Sequence, residues 1–184
     1  MSETFFVSDT HFKHKNILKF CPTTRFGRDE VEMTEMMIKV WNEKVRREDT
    51  VYHLGDVSFC SGEETAKILN RLNGKIHLIE GNHDRKMLQN KECADRFDSV
   101  SPYMNLKMGK QNVILMHYAM RVWDKMHYGS YHLYGHSHNA LEHTPYGRSM
   151  DVGVDARPNF DMGPWGWEEI DKILKNRVIL DHHD

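Results

Sequence analysis

Asp9-Thr10-His11 puts a carboxylate and an imidazole at positions i and i+2 of an extended segment, on the same side of the chain. His136-Ser137-His138 repeats the spacing with two imidazoles much later in the sequence. Between them lie Gly55-Asp56, Gly81-Asn82-His83-Asp84 and His117 in Met116-His117-Tyr118. Hard oxygen donors mixed with imidazole nitrogens suit Mn²⁺, with Fe, Zn²⁺ or Ni²⁺ also compatible, better than Ca²⁺ or Mg²⁺. Asp56 carries two oxygens and could bridge two ions, while Asn82 offers a neutral oxygen that limits negative charge facing an anion. The set describes a two-metal centre, and such centres mainly break phosphate esters.

These groups need a scaffold that gathers them. Each follows a short apolar run: Phe5-Val7, Val51-Leu54, Ile76-Ile79, Val113-Met116 and His132-Tyr134. Continuous apolar runs closed by turn residues read as strands covered on both faces. Met150 to Val154 and Val178 to Leu180 are two further candidates. Between the strands, Met33, Met37, Val40, Trp41 and Val45 form one face of a helix from Glu32 to Val45. Ser61-Gly62-Glu63-Glu64 reads as a capping box opening a helix through Leu69 and Leu72, stopped at Asn73-Gly74. A third helix is expected from Glu168 to Lys175. The alternation implies a layered α/β fold whose loops converge beyond the carboxyl ends of the strands.

The chain has 184 residues, which suits a single domain over 1–184, and no linker or repeat divides it. A net charge of −2 gives no global electrostatic footprint for nucleic acid, which leaves a local basic patch as the only basis for such a partner. Three scattered cysteines suit a reducing, cytoplasmic setting, and the N-terminal segment does not read as a signal peptide. No run is apolar for long enough to span a membrane. Oligomeric state is not legible.

Taken together, Asp9-Thr10-His11, Gly55-Asp56-Val57-Ser58-Phe59, Gly81-Asn82-His83-Asp84, His117 and Gly135-His136-Ser137-His138 resemble the calcineurin-like metallophosphoesterase superfamily, over about residues 4–139 and in the same order. Ser8 to Ile17 is similar to the small stand-alone members of bacteria and phages. The resemblance implies a central β-sandwich flanked by helices, an α/β/β/α arrangement of four layers. It implies one metal held by Asp9, His11, Asp56 and His138, and another by Asp56, Asn82, His117 and His136. A water or hydroxide between the ions would be the nucleophile, and His83, with Asp84 beside it, would act on the phosphate and leaving group. The net positive charge of two divalent ions and two aspartates would attract the phosphate. One position departs from the family pattern. The second Asp of Gly-Asp-x-x-Asp is Phe59, and in the protein-phosphatase branch that Asp orients the catalytic histidine. Its loss weakens general-acid catalysis and favours diesters or esters with good leaving groups.

His14, Arg25 and Arg85 are candidate contacts for substrate phosphate, because arginine pairs bidentately with phosphate and His14 lies close to His11. Asp155 and Arg157 either line the pocket or pair with each other. His53 and His77, inside apolar runs, read as structural histidines. The favoured function is hydrolysis of a small phosphodiester or nucleotide-like compound. The alternatives are a nuclease using Lys13, His14, Lys15, Arg25, Arg28 and Arg46-Arg47 as a basic groove, and a non-catalytic module stabilised by its metals.

Overall fold

The computed structural model describes residues 2–181; the tail histidines His182 and His183, expected at the surface, lie outside them. In chain order the elements are β1 (Thr4–Val7), α1 (Ile17–Phe20), α2 (Glu30–Lys44), β2 (Thr50–His53), α3 (Gly62–Leu69), β3 (Lys75–Ile79), α4 (Lys91–Ala94), β4 (Phe97–Ser101), β5 (Tyr103–Met108), β6 (Gln111–Met116), β7 (Tyr131–Tyr134), β8 (Ser149–Asp151), β9 (Trp165–Gly166) and α5 (Trp167–Leu174). One sheet runs β4-β3-β2-β1-β9, parallel from β4 to β1 with β9 antiparallel at the edge. The other runs β5-β6-β7-β8, parallel from β6 to β8.

Alternation along the strands sorts side chains between layers. Phe5 and Val7 of β1 and Val51 of β2 face α2 and α3, in a core with Met33, Met37, Trp41 and Leu69. Phe6, Leu54 and Ile79 face the second sheet and meet Val113, Leu115, Leu133 and Val152. Ile114 points away from that core, towards Trp123 and Met126. The layer outside the second sheet is thin, built from the chain around Trp123, a 3₁₀ turn at Met126–Tyr128, and Leu180. Two sheets flanked by helices is therefore the architecture, as expected from the sequence.

Local chemistry explains the element boundaries. α2 opens at Glu30, two residues earlier than periodicity suggests, because the Asp29 side chain accepts N–H bonds from Val31 and Glu32. The Ser61–Glu64 capping box is present at the start of α3. Val178 to Leu180 is not a strand: Leu180 packs into the Trp123 cluster as irregular chain. β4 and β5 were not anticipated, since β5 alternates exposed with half-buried residues and carries little apolar signal.

His132, inside β7, is fully buried. Its Nδ1–H donates to the Ile114 carbonyl at 3.1 Å and its Nε2 accepts the Met120 N–H at 3.0 Å, so the neutral ring is fully satisfied. Burial, outweighing the backbone groups of Ile114 and Tyr118 that favour the charged ring, pushes its pKa down from 6.5 to about 4. The unfolded chain therefore binds a proton that the folded chain refuses between those values, and stability falls as pH drops through that window. By pH 4 this one group should cost about 3 kcal/mol. Chemical denaturation from pH 7 to 4 should show a shallower loss in His132→Gln than in wild type; equal slopes would exclude this origin.

Candidate metal centre

Both sheets aim the carboxyl ends of their parallel strands at one place. β1 leads to Asp9 and His11, β2 to Asp56, β3 to Asn82 and His83, β6 to His117 and β7 to His136 and His138. Two clusters of the expected ligands result, Asp9–His11–His138 and Asp56–His117–His136, with the candidate ligand atoms of each cluster within 4.8 Å of one another; a third group, Cys21–His138–Asp155, shares His138 with the first. Asp56 lies between the first two. Its Oδ2 is 3.6 Å from His11 Nε2 and 3.6 Å from His117 Nε2, while its Oδ1 accepts the His83 N–H at 3.0 Å.

The protonation pattern tests whether cations fit. His117 Nδ1 lies 2.6 Å from the Leu54 carbonyl, which can only accept, so Nδ1 carries the hydrogen. In the neutral ring, Nε2 then presents a lone pair to Asn82 Oδ1 at 3.1 Å and Asp56 Oδ2 at 3.6 Å. Three acceptors converge, an arrangement that a cation among them resolves. In the other cluster Asp9 Oδ1 and both ring nitrogens of His11 are buried and lack hydrogen-bond partners. Such groups are costly unless something positive meets them. Burial, with Arg25 and His138 adding to it, lowers the His11 pKa against the pull of Asp9, which keeps the imidazole neutral and able to ligate. Burial alone would raise the Asp9 pKa, but His11, His138 and His117 outweigh it and hold the carboxylate ionised. The residues fit a pair of divalent cations.

The backbone is strained at these same positions. Asp9, His11, Asp56, His136 and His138 have φ of 54°, 46°, 57°, 64° and 46°, in the left-handed region that non-glycine residues rarely enter. Each such residue costs about 1–3 kcal/mol, and they persist only where surroundings over-determine them. Close approach also demands glycine: a Cβ on Gly135 would sit 1.9 Å from Ser8 Oγ and 2.5 Å from Asp9 Oδ2.

A family profile for the calcineurin-like phosphoesterase superfamily domain matches residues 3–150. The chain belongs to that superfamily. An uncharacterized protein of Methanocaldococcus jannaschii is 44% identical over 87 residues, covering 46% of this chain and 48% of that protein, about half of each. The Gene 66 protein of Mycobacterium phage L5 is 26% identical over 185 residues, covering 85% of this chain and 88% of its own. The crystal structure of a protein of unknown function from Aquifex aeolicus superposes with a TM-score of 0.73 at 25% identity, covering 94% of this chain and 99% of that one.

Within this calcineurin-like site the remaining expectations divide. His83 is 45% exposed, its Nε2 3.9 Å from Asp56 Oδ2, and belongs to neither cluster. His14 stacks on Phe59 with ring centroids 3.8 Å apart, and burial, then the neighbouring His11 and Arg25, push its pKa down to about 4. Arg85 is exposed on a cavity that Asn82 and His83 also line.

Two expectations are corrected. Asp84 is buried and does not reach substrate; its Oδ2 accepts the N–H groups of Asp56 and Gly81 at 2.9 and 2.8 Å, and its Oδ1 that of Val57 at 2.9 Å. It locks together the loops after β2 and β3. Arg25 is no phosphate clamp, because its side chain is fully buried and its donors are spent. Nε and Nη2 donate to the two oxygens of Asp155 at 2.8 and 2.6 Å, Nη2 also to the Asp9 carbonyl at 2.6 Å, and Nη1 to the Thr10 carbonyl at 2.9 Å.

Asp155 had been expected to line the pocket or pair with Arg157. Instead it pairs with Arg25 and accepts from His138 Nδ1 at 2.7 Å, while Arg157 pairs with Asp161 and Glu169. Burial opposes ionisation of Asp155, but Arg25, His138 and Thr24 hold its pKa far below the usual carboxylate range. Asp151, also missed, accepts from Ser137 Oγ at 2.5 Å and from the Asn139 and Gly153 N–H groups, fastening the His136–His138 loop. Asp155 follows the strand expected from Met150 to Val154, and Asp151 lies inside it, at the end of β8. His53 is buried as expected, its ring bonded to Thr10 Oγ1 at 2.9 Å and the Gly55 N–H at 3.2 Å. Asp155→Asn leaves the buried Arg25 guanidinium unmatched and should lower the melting temperature, and in protein that still folds it should weaken Mn²⁺ binding about 10–100-fold, the usual cost of losing a partner behind a metal ligand. Calorimetric titration with Mn²⁺ measures this, and unchanged affinity would assign Asp155 to packing alone.

Proposed function

We propose that this chain is a metal-dependent phosphodiesterase acting on small or nucleotide-like diesters with the help of two divalent cations. The observation that carries the reading is the pair of neighbouring ligand clusters, with Asp56 Oδ2 3.6 Å from an imidazole nitrogen of each, one cluster with unpartnered buried atoms and the other with three acceptors facing one another. Asp9, His11, Asp56 and His138 would hold one cation, and Asp56, Asn82, His117 and His136 the other. Such a pair supplies positive charge that stabilises both attacking and leaving oxygens and makes water more acidic.

The chain's own residues then divide the work. Asp155 orients the His138 ring through its Nδ1, and Leu54 holds His117 in the tautomer that leaves Nε2 free. Asp84 and Arg25 fix the backbone that carries Asp56, Asp9 and His11. His83 stands beside the clusters, where it can give a proton to a leaving oxygen. Beside its ring stands Phe59, with centroids 4.5 Å apart, and the only ion-pair partner it has among the described residues is Asp56. No carboxylate other than Asp56 therefore holds the imidazolium, which favours substrates whose leaving group needs little help. The three cysteines are free, in keeping with a cytoplasmic setting, and no helix among the described residues is long and apolar enough to cross a membrane.

The test is hydrolysis of bis-p-nitrophenyl phosphate against p-nitrophenyl phosphate by protein stripped of metal and reloaded with Mn²⁺. Diester turnover should return with Mn²⁺. Asp56→Asn should lower it more than about 100-fold, beyond the loss expected for a residue that merely supports a ligand. Preference for the monoester would sink the diesterase reading. His83→Ala should retain metal and slow an alkyl ester by about 10²–10⁴-fold, the range for a general acid. The nitrophenyl ester should suffer less, because its leaving group hardly needs the proton. Equal losses on both esters would remove His83 from proton transfer.

A further inference from the structure

A cavity of about 910 Å³ is lined by Asn82, whose Oδ1 faces His117 of one cluster, and by His83. Phe59, Arg85, Lys86 and Asn90 are among its other walls, and neither an Asp nor a Glu lines it. That is unusual in a chain with 27 acidic and 25 basic residues. Arg25, Lys44, Arg71, Arg157 and Arg177 are each tied to a carboxylate. Arg85 and Lys86 are exposed and have no such partner among the described residues. Two uncompensated cations on a carboxylate-free wall make an anion site, and the fork of an arginine suits phosphate in particular. Phe59 adds a 40% exposed aromatic ring between this wall and His14, on which it stacks. Exposed aromatic rings beside cationic groups are how flat bases are held against a charged backbone.

We infer that this cavity receives the leaving group and that the leaving group is a phosphorylated nucleoside, its second phosphate on Arg85 and Lys86 and its base against Phe59. The inference rests on the phosphodiesterase reading and gives it a substrate class. In the hydrolysis, water adds across the scissile P–O bond. Phosphorus gains the hydroxyl, and the departing nucleoside oxygen gains a proton on the side where His83 stands. The cavity is of a size usual for small-molecule sites.

Binding of thymidine 3′,5′-bisphosphate to the Mn²⁺-loaded protein tests this without turnover. Calorimetry should show affinity falling about tenfold or more in Arg85→Ala/Lys86→Ala, as expected for lost charge-assisted bonds. Phe59→Leu should weaken the thymidine ligand and leave propane-1,3-diol bisphosphate, which has no ring, unaffected. Both variants change exposed side chains, and matched thermal melts establish that they fold. Equal affinity in wild type and double variant would overturn the phosphate assignment, and equal loss of both ligands in Phe59→Leu would overturn the base assignment. In turnover, the preference for the dinucleotide carrying terminal phosphates over the same dinucleotide without them should disappear in the double variant; a surviving preference counts against the subsite. A single-stranded decamer that outcompetes the bisphosphate identifies a nucleic-acid source, and one that does not identifies a small nucleotide; both support the subsite. If wild type fails on bis-p-nitrophenyl phosphate, the diesterase reading falls, and the binding experiment still judges the cavity.

Discussion

Around Asp56 the fold brings together lone pairs that repel one another, and much of the surrounding architecture holds them there. A carboxylate oxygen, an amide oxygen and an imidazole nitrogen face a common point at His117, and a second carboxylate with an unpartnered imidazole lies next to them. Asp56, His117, Asp9 and His11 are buried, and lone pairs taken from water with no donor to meet them cost free energy. The arrangement therefore opposes folding on its own. It holds because each group is fixed from behind: Leu54 on His117, Asp155 on His138, and the His83 and His136 N–H groups on the free oxygens of Asp56 and Asp9.

Most of that support runs through backbone. Five candidate ligands sit in left-handed conformations, and Arg25 reaches two carbonyls of the Asp9–His11 segment while gripping Asp155 with its other donors. One buried guanidinium thus links the chain after β1 to the chain after β8, and through Asp155 to His138 after β7. A buried ion pair is weak evidence of stability, because desolvation offsets its attraction. Here its geometric role is the stronger explanation, since Arg25 brings the strained chain near His11 and the ring of His138 into one frame. Removing either partner would leave a buried charge unmatched and release two candidate ligands together.

The primary structure made the candidate centre legible because the groups proposed as ligands are chemically distinctive and each follows a strand. Asp9, His11, Asp56, Asn82, His117, His136 and His138 could be picked out by residue type and spacing. The support behind them could not, because a buried Asp155 or Asp84 has the same letter as any surface aspartate, and only the fold shows what it accepts. Arg25 was misread for the same reason: an arginine near a phosphate site suggests a clamp, yet its donors are consumed inside. The strands followed a similar divide. The buried runs of β1, β2, β3, β6 and β7 stand out as apolar blocks. β5 covers one side of its sheet with half-buried residues and leaves only a faint alternation, while Val178–Leu180 is apolar for the sake of a loop contact.

Charge distribution carries the last step. The chain as a whole is close to neutral, which by itself argues against an anionic substrate. The structure shows why the sum misleads. Carboxylates cluster behind the metal ligands and along the helices, where they pair with Arg25, Lys44, Arg71 and Arg157. The cavity beside His83 keeps its cations unpaired. An anion approaching that face meets positive charge from the rim inward, and fields focused by a low-dielectric cleft act over the distances at which substrate is captured. The position of Phe59 fits the same division. An aspartate there would have steadied His83 but would also have put a negative charge at the entrance to the cavity. The phenyl ring leaves the entrance neutral and gives up a partner for the histidine, a trade that suits a substrate with a stable leaving group and a second phosphate.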